Sequence, residues 1–135
     1  MITEDYVSFV TAKLLKEKGF DAECDYLYVD GKLVRAQGGA CNWNRGETLF
    51  TDYKNECSAP SLQMVMKWLR ETYNINPVPY ALSLGWAFDI FDLSDRDITG
   101  CKKLYSMDFP SKSEVYSTYE EACEAAIKYC LENLI

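Results

Sequence analysis

Between Pro60 and Pro77 the apolar residues Leu62, Val65, Met66, Leu69 and Tyr73 recur every three or four positions. That spacing is the period of an α-helix with one buried face. Pro60 suits a first helical turn, where its missing N–H leaves no hydrogen bond unmade, and Ser58 is placed to cap it. Trp68 borders the stripe, and Asn74 and Pro77 close the element. A helix this short is marginal alone and must cover its stripe with other structure. The segments on either side of it read as strands, so the helix constrains the chain to an α+β arrangement.

Two further helices frame the chain. The first reads from Glu4 to about Lys18, with Thr3 as its cap and Glu4 and Asp5 in its first turn. Lys16 and Lys18 sit in its last turn, which suits the helix dipole. Val7, Val10 and Leu14 give the apolar face, widened by Tyr6 and Phe9, and Gly19 is placed to end it in a left-handed conformation. The last helix reads from about Thr118 to Asn133, with Ser117 and Glu120 as a capping box. Ala122, Cys123, Ala126, Ile127, Cys130, Leu131 and Leu134 form its core face.

The strands lie between these helices. Tyr26–Val29 and Lys32–Arg35 flank Asp30-Gly31, the pair that favours a type I′ turn because both positions need positive φ. Pro77–Leu82 and Trp86–Asp92 read as a second antiparallel pair around Ser83-Leu84-Gly85. Pro77 and Pro79 cannot donate ladder hydrogen bonds, so the first of these strands belongs at an edge or starts late. Lys103–Met107 adds another strand after the polar stretch from Ser94 to Gly100. Residues 37–57 lack a clear pattern beyond a short strand near Thr48–Thr51. The expected fold is a single α+β domain over residues 1–135: a small, mostly antiparallel sheet of about four or five strands packed with three amphipathic helices.

Once these helices are marked, three stretches resemble a known group. They are Thr-Glu-Asp-Tyr-Val-Ser-Phe with Ala-Lys-Leu-Leu-Lys-Glu-Lys-Gly-Phe-Asp (3–21), Ser-Ala-Pro-Ser-Leu-Gln-Met-Val-Met-Lys-Trp-Leu-Arg-Glu (58–71), and Tyr-Ser-Thr-Tyr-Glu-Glu-Ala-Cys-Glu-Ala-Ala-Ile-Lys-Tyr-Cys-Leu-Glu-Asn-Leu-Ile (116–135). They are similar to short conserved proteins of Bacteroides-type gut bacteria, often encoded near prophage or mobile-element genes. The layout also resembles small phage-associated α/β sandwich domains. The resemblance supplies no catalytic residues to carry over, and no cofactor is expected.

Composition narrows the function classes. Twenty-one acidic against fourteen basic residues give a net charge of −7. The basic residues are scattered, which argues against a nucleic-acid groove. An acidic balance suits solubility, a basic partner, or an acidic face that imitates DNA. No apolar run approaches the roughly 18 residues of a membrane span, and the amino-terminus has no signal-like pattern, so a cytoplasmic protein is expected. The six cysteines have no C-x-x-C spacing, and the chain has no histidine, so zinc sets and histidine-activated nucleophiles are excluded. Cys123 and Cys130 share a helix face and read as small, reduced core residues.

Three constellations remain. Asn42-Trp43-Asn44-Arg45 is the candidate contact surface, since Trp and Arg dominate interfaces. This reading requires Trp43 or its neighbours to be exposed beside an apolar patch; the bland alternative is a tryptophan folded back over a sheet edge. Asp95, Asp97, Thr99 and Gly100 match the opening of a calcium-binding loop, but position twelve is Ser106 where a bidentate Glu belongs. The same Asp95-x-Asp97-x-Thr99 spacing resembles a phosphate-accepting aspartate motif, without the buried parallel strand and later lysine that chemistry needs. The expected function is a non-enzymatic accessory or protein-interaction protein. Its rival is a small carboxylate hydrolase or ligand-binding domain, which requires at least two of Asp89, Asp92, Asp95 and Asp97 to converge.

Overall fold

The computed structural model describes residues 1–45 and 56–135; the strand expected near Thr48–Thr51 falls outside them. Among the described residues there are three α-helices and six strands, an α+β fold. The strands form two three-stranded antiparallel sheets rather than one sheet of four or five. The chain divides into two compact units, Met1–Ser61 and Leu62–Ile135.

In the first unit, helix α1 spans Phe9–Glu17 and is capped by Ser8, whose Oγ accepts from the Thr11 N–H at 3.3 Å. It starts five residues later than the acidic run at Glu4 suggests. The reason is a long-range pairing. Tyr6 forms a β-bridge with Ser61, and the Val7 N–H donates to the Pro60 carbonyl at 3.1 Å. The Tyr6 ring lies 4.3 Å from that of Tyr26, and the Tyr28 hydroxyl donates to the Val7 carbonyl. These contacts hold the segment extended and move the buried helix face to Thr11, Ala12 and Leu15, leaving Val10 52 % exposed. Gly19, at φ +84°, closes the helix with the paired bonds of a Schellman motif: Phe20 N–H to Leu15 carbonyl, Gly19 N–H to Lys16 carbonyl.

Strands β1 (Tyr26–Val29) and β2 (Lys32–Arg35) form the expected hairpin, with Asp30 and Gly31 both at positive φ. Strand β3 (Cys57–Ser58) pairs with the other edge of β1. Ser58 is therefore a buried strand residue opposite Leu27 and does not cap the second helix.

In the second unit, helix α2 (Leu62–Tyr73) buries Leu62, Val65, Met66 and Leu69. Tyr73 leaves the stripe and stands edge-on to Trp68, and Asn74, at φ +56°, ends the helix. Strands β4 (Ile75–Leu82), β5 (Gly85–Asp97) and β6 (Gly100–Ser106) make a meander with β4 at the edge, where its prolines require it. Strand β5 runs five residues further than the apolar pattern indicates, and β6 begins at Gly100, so the polar stretch is a hairpin tip. A Cβ on Gly85 (φ +149°) would sit 2.6 Å from the Tyr116 carbonyl oxygen, on a segment that returns to pair with Trp86.

Helix α3 (Tyr119–Asn133) packs on β4, β5 and α2 through Ala122, Cys123, Ala126, Ile127, Cys130 and Leu131. Its cap is Thr118, whose Oγ1 accepts from the Glu121 N–H, while the Glu121 carboxylate accepts from the Ser117 N–H. The reciprocal box sits one residue later than Ser117 and Glu120. Burial raises the Cys130 thiol to about 12 and also raises that of Cys123, as suits core residues. No helix among the described residues is long and apolar enough to cross a membrane.

Candidate functional site

The Asn42–Arg45 segment is a short 3₁₀ turn held inward. Trp43 is only 4 % exposed, and its indole Nε1 donates to the Cys24 carbonyl at 2.8 Å. Asn42 donates to the Asp21 carbonyl, and Asn44 donates to the Phe20 carbonyl while accepting from the Ser58 N–H. Arg45 pairs with Asp21 at 3.3 Å across the surface. Three of these side chains, Asn42, Trp43 and Asn44, thus supply hydrogen bonds to an irregular backbone from Phe20 to Cys24 that has few ladder partners of its own, and Arg45 holds the Asp21 carboxylate. Trp43 and Asn42 are buried, and Arg45 is the exposed member of the turn. One face of Trp43 instead lines a cavity of about 500 Å³ with Leu27, Val34, Arg35 and Glu56.

Asp95 and Asp97 line a cavity of about 300 Å³ at the β5–β6 tip, while Asp89 lines another. Asp97 accepts from the backbone and hydroxyl of Thr99 at the β5–β6 tip, and these bonds, hydroxyl first, hold its carboxyl below the ordinary range. Asp92 is likewise lowered by the Ser94 hydroxyl and then by its N–H, with Lys102 adding a smaller effect. The tip carrying Asp95, Asp97 and Thr99 is a β-hairpin, not the helix-flanked loop of a calcium site. Among the described residues no three acidic or sulfur side chains gather to hold a metal.

Asp89 behaves differently. It lies between the buried Phe88 and Ile90 on β5, with its side chain 16 % exposed, and its register partner across the ladder is Ser106 on β6. The Ser106 hydroxyl is 2.8 Å from Asp89 Oδ1 and also 2.8 Å from Asp108 Oδ1. The Tyr80 hydroxyl approaches the same Asp89 oxygen at 3.4 Å, and Lys103 Nζ is 3.5 Å from Asp89 Oδ2. Burial, then the Asp89 charge, raises the Tyr80 phenol above its ordinary value.

These groups line a cavity of about 500 Å³ whose rim is apolar: Leu82, Leu84, Met107 and Phe109. Phe109 is fully exposed and holds φ +46°, an unusual conformation for a bulky residue. Comparison of the chain with protein-family models, with curated proteins and with solved structures finds no match.

The chemistry of this arrangement follows from a proton count. A serine hydroxyl has one proton and satisfies one of its two carboxylates at a time. When Ser106 donates to Asp108, the Tyr80 hydroxyl still serves Asp89 Oδ1; when it donates to Asp89, the exposed Asp108 oxygen can take a donor from a ligand. Two carboxylates against the single Lys103 ammonium leave the pocket with one negative charge. Of the four carboxylates singled out in the sequence, only Asp89 belongs here, and its companion is Asp108. Ser106, Asp108 and Phe109 carry little signal in the sequence; the best is a large aromatic before Pro110 in a polar stretch with no element to join.

Proposed function

We propose that the chain is a non-enzymatic accessory protein that binds a basic segment of another protein at the Asp89–Asp108 pocket. The observation that carries the reading is the Ser106 hydroxyl held between two carboxylate oxygens beneath an exposed apolar rim. That combination suits an arginine side chain, whose planar guanidinium donates to carboxylates while its aliphatic stem lies along Leu84 and Phe109. The net charge of −7 favours the approach of a basic partner. The likeness of residues 3–21, 58–71 and 116–135 to proteins near prophage or mobile-element genes fits a cytoplasmic accessory role of this kind.

The test is a titration of the isotopically labelled chain with a short peptide bearing one arginine between leucines, beside its citrulline counterpart. The arginine peptide is expected to shift the amides of Lys103, Ser106 and Phe109 saturably, and citrulline, neutral but nearly isosteric, to bind about tenfold more weakly, roughly 1.4 kcal/mol. Asp108→Asn is expected to erase the difference between the two. Equal binding of both peptides, or no shift at millimolar peptide, would overturn the reading.

A further inference from the structure

Cys24 and Cys41 face each other across an isolated antiparallel bridge in the first unit. Each backbone N–H donates to the other residue's carbonyl, at 2.9 Å and 3.3 Å. A mutually hydrogen-bonded antiparallel pair places its Cα atoms about 5.5 Å apart and its side chains on one face of the ladder. Disulfides span Cα separations of roughly 4.4–6.8 Å. Both thiols are free, with Cys24 buried and Cys41 half-buried. We propose that Cys24 and Cys41 are a redox modification site, closing to an intramolecular disulfide on reaction with a small-molecule disulfide of the glutathione class.

The other cysteines have no comparable partner. Cys57 has Tyr28 as its register partner on β1. Cys123 and Cys130 are seven residues apart on α3, a rise of about 10 Å. Cys101 pairs with Arg96.

The reaction balances in two exchanges. The Cys41 thiol, the more accessible of the two, loses its proton and attacks one sulfur of oxidised glutathione, releasing the first reduced glutathione and leaving a mixed disulfide. The Cys24 thiol then loses its proton and attacks the Cys41 sulfur, forming the Cys24–Cys41 bond and releasing the second glutathione. Two protein thiols are oxidised and one glutathione disulfide is reduced. Burial, reinforced by Asp25, raises the Cys24 thiol to about 11, while Ser58 lowers it, so the second exchange is the slow one and speeds up as pH rises.

Reversibility follows from the register. Directly opposed residues hold their Cβ atoms about 4.5–5.5 Å apart, the wider end for hydrogen-bonded pairs, whereas a disulfide prefers about 3.5–4.5 Å. Closing the bond draws the two segments together under strain, which makes it easy to reduce. The bond would also fasten the Trp43 turn, because Trp43 follows Cys41 by two residues and its indole already donates to the Cys24 carbonyl.

The experiment treats the folded wild-type chain with oxidised glutathione at pH 8, blocks remaining thiols, and maps tryptic peptides without reduction. Cys24 and Cys41 fall in separate peptides, residues 19–32 and 36–45, each with one cysteine. The expected product joins these two peptides, leaves the other four cysteines blocked, and disappears on dithiothreitol treatment with circular dichroism unchanged throughout. In Cys24→Ser the reaction should stop at a glutathione adduct on Cys41. A wild-type chain that stays unmodified, keeps only the Cys41 adduct, or links other cysteines would overturn the proposal.

Discussion

Trp43 shows how one side chain decides between a surface and a core. Its indole is large enough to dominate an interface, yet here its single donor goes to the Cys24 carbonyl and its rings are covered. The neighbouring asparagines make four more hydrogen bonds with the backbone, three of them to residues 20–24 and Ser58, so the turn acts as a clamp on those segments. Trp43→Phe keeps most of the apolar volume but removes one of the two donors to that carbonyl, the Cys41 N–H remaining. It is expected to lower unfolding stability by about 0.5–1.5 kcal/mol, read as a shift in urea midpoint at unchanged slope. Ser58→Ala is the matched control. Among the described residues its buried hydroxyl has no oxygen or nitrogen partner and lies beside the Cys24 thiol, so its removal should change stability by less than about 1 kcal/mol.

Elements whose determinants are local were legible from the sequence, and elements set by distant pairing were not. The β1–β2 hairpin matches the sequence reading at both strand ends because Asp30 and Gly31 accept positive φ wherever they stand. Helix α1 begins late because Tyr6 pairs with Ser61, fifty-five positions away, and no window around Thr3 contains that information. The division into two sheets escapes the sequence for the same reason. The Asp89 pocket was half legible: the carboxylate stands out on an apolar strand, but its meeting with Ser106 depends on a cross-strand register that shifts between Ile90 and Phe91 and again between Asp92 and Arg96. Helix α3 offers a direct check on a one-residue error. Thr118→Ala removes the oxygen that receives the Glu121 N–H and is expected to cost about 1 kcal/mol, whereas Ser117→Ala should cost only a few tenths. Equal effects in thermal or urea unfolding would mean that the helix starts where the sequence first suggested.

At the scale of the whole molecule, charge and shape make separable demands on the proposed partner. The excess of twenty-one acidic over fourteen basic residues acts at a distance, speeding encounter with a basic segment without specifying where it lands. The Asp89–Ser106–Asp108 pocket and the exposed Phe109 act only at contact. Salt discriminates between these contributions, because the screening length falls from about 30 Å at 0.01 M to about 3 Å at 1 M ionic strength. Raising the salt is therefore expected to slow association of the arginine peptide several-fold while changing its dissociation rate little. Phe109→Ala should do the reverse, speeding dissociation through lost apolar contact and leaving the salt dependence of association as it was. Stopped-flow or surface-plasmon kinetics on the full chain measure both rates. An association rate indifferent to salt would remove long-range charge from the account, and a dissociation rate indifferent to Phe109 would move the contact away from this rim.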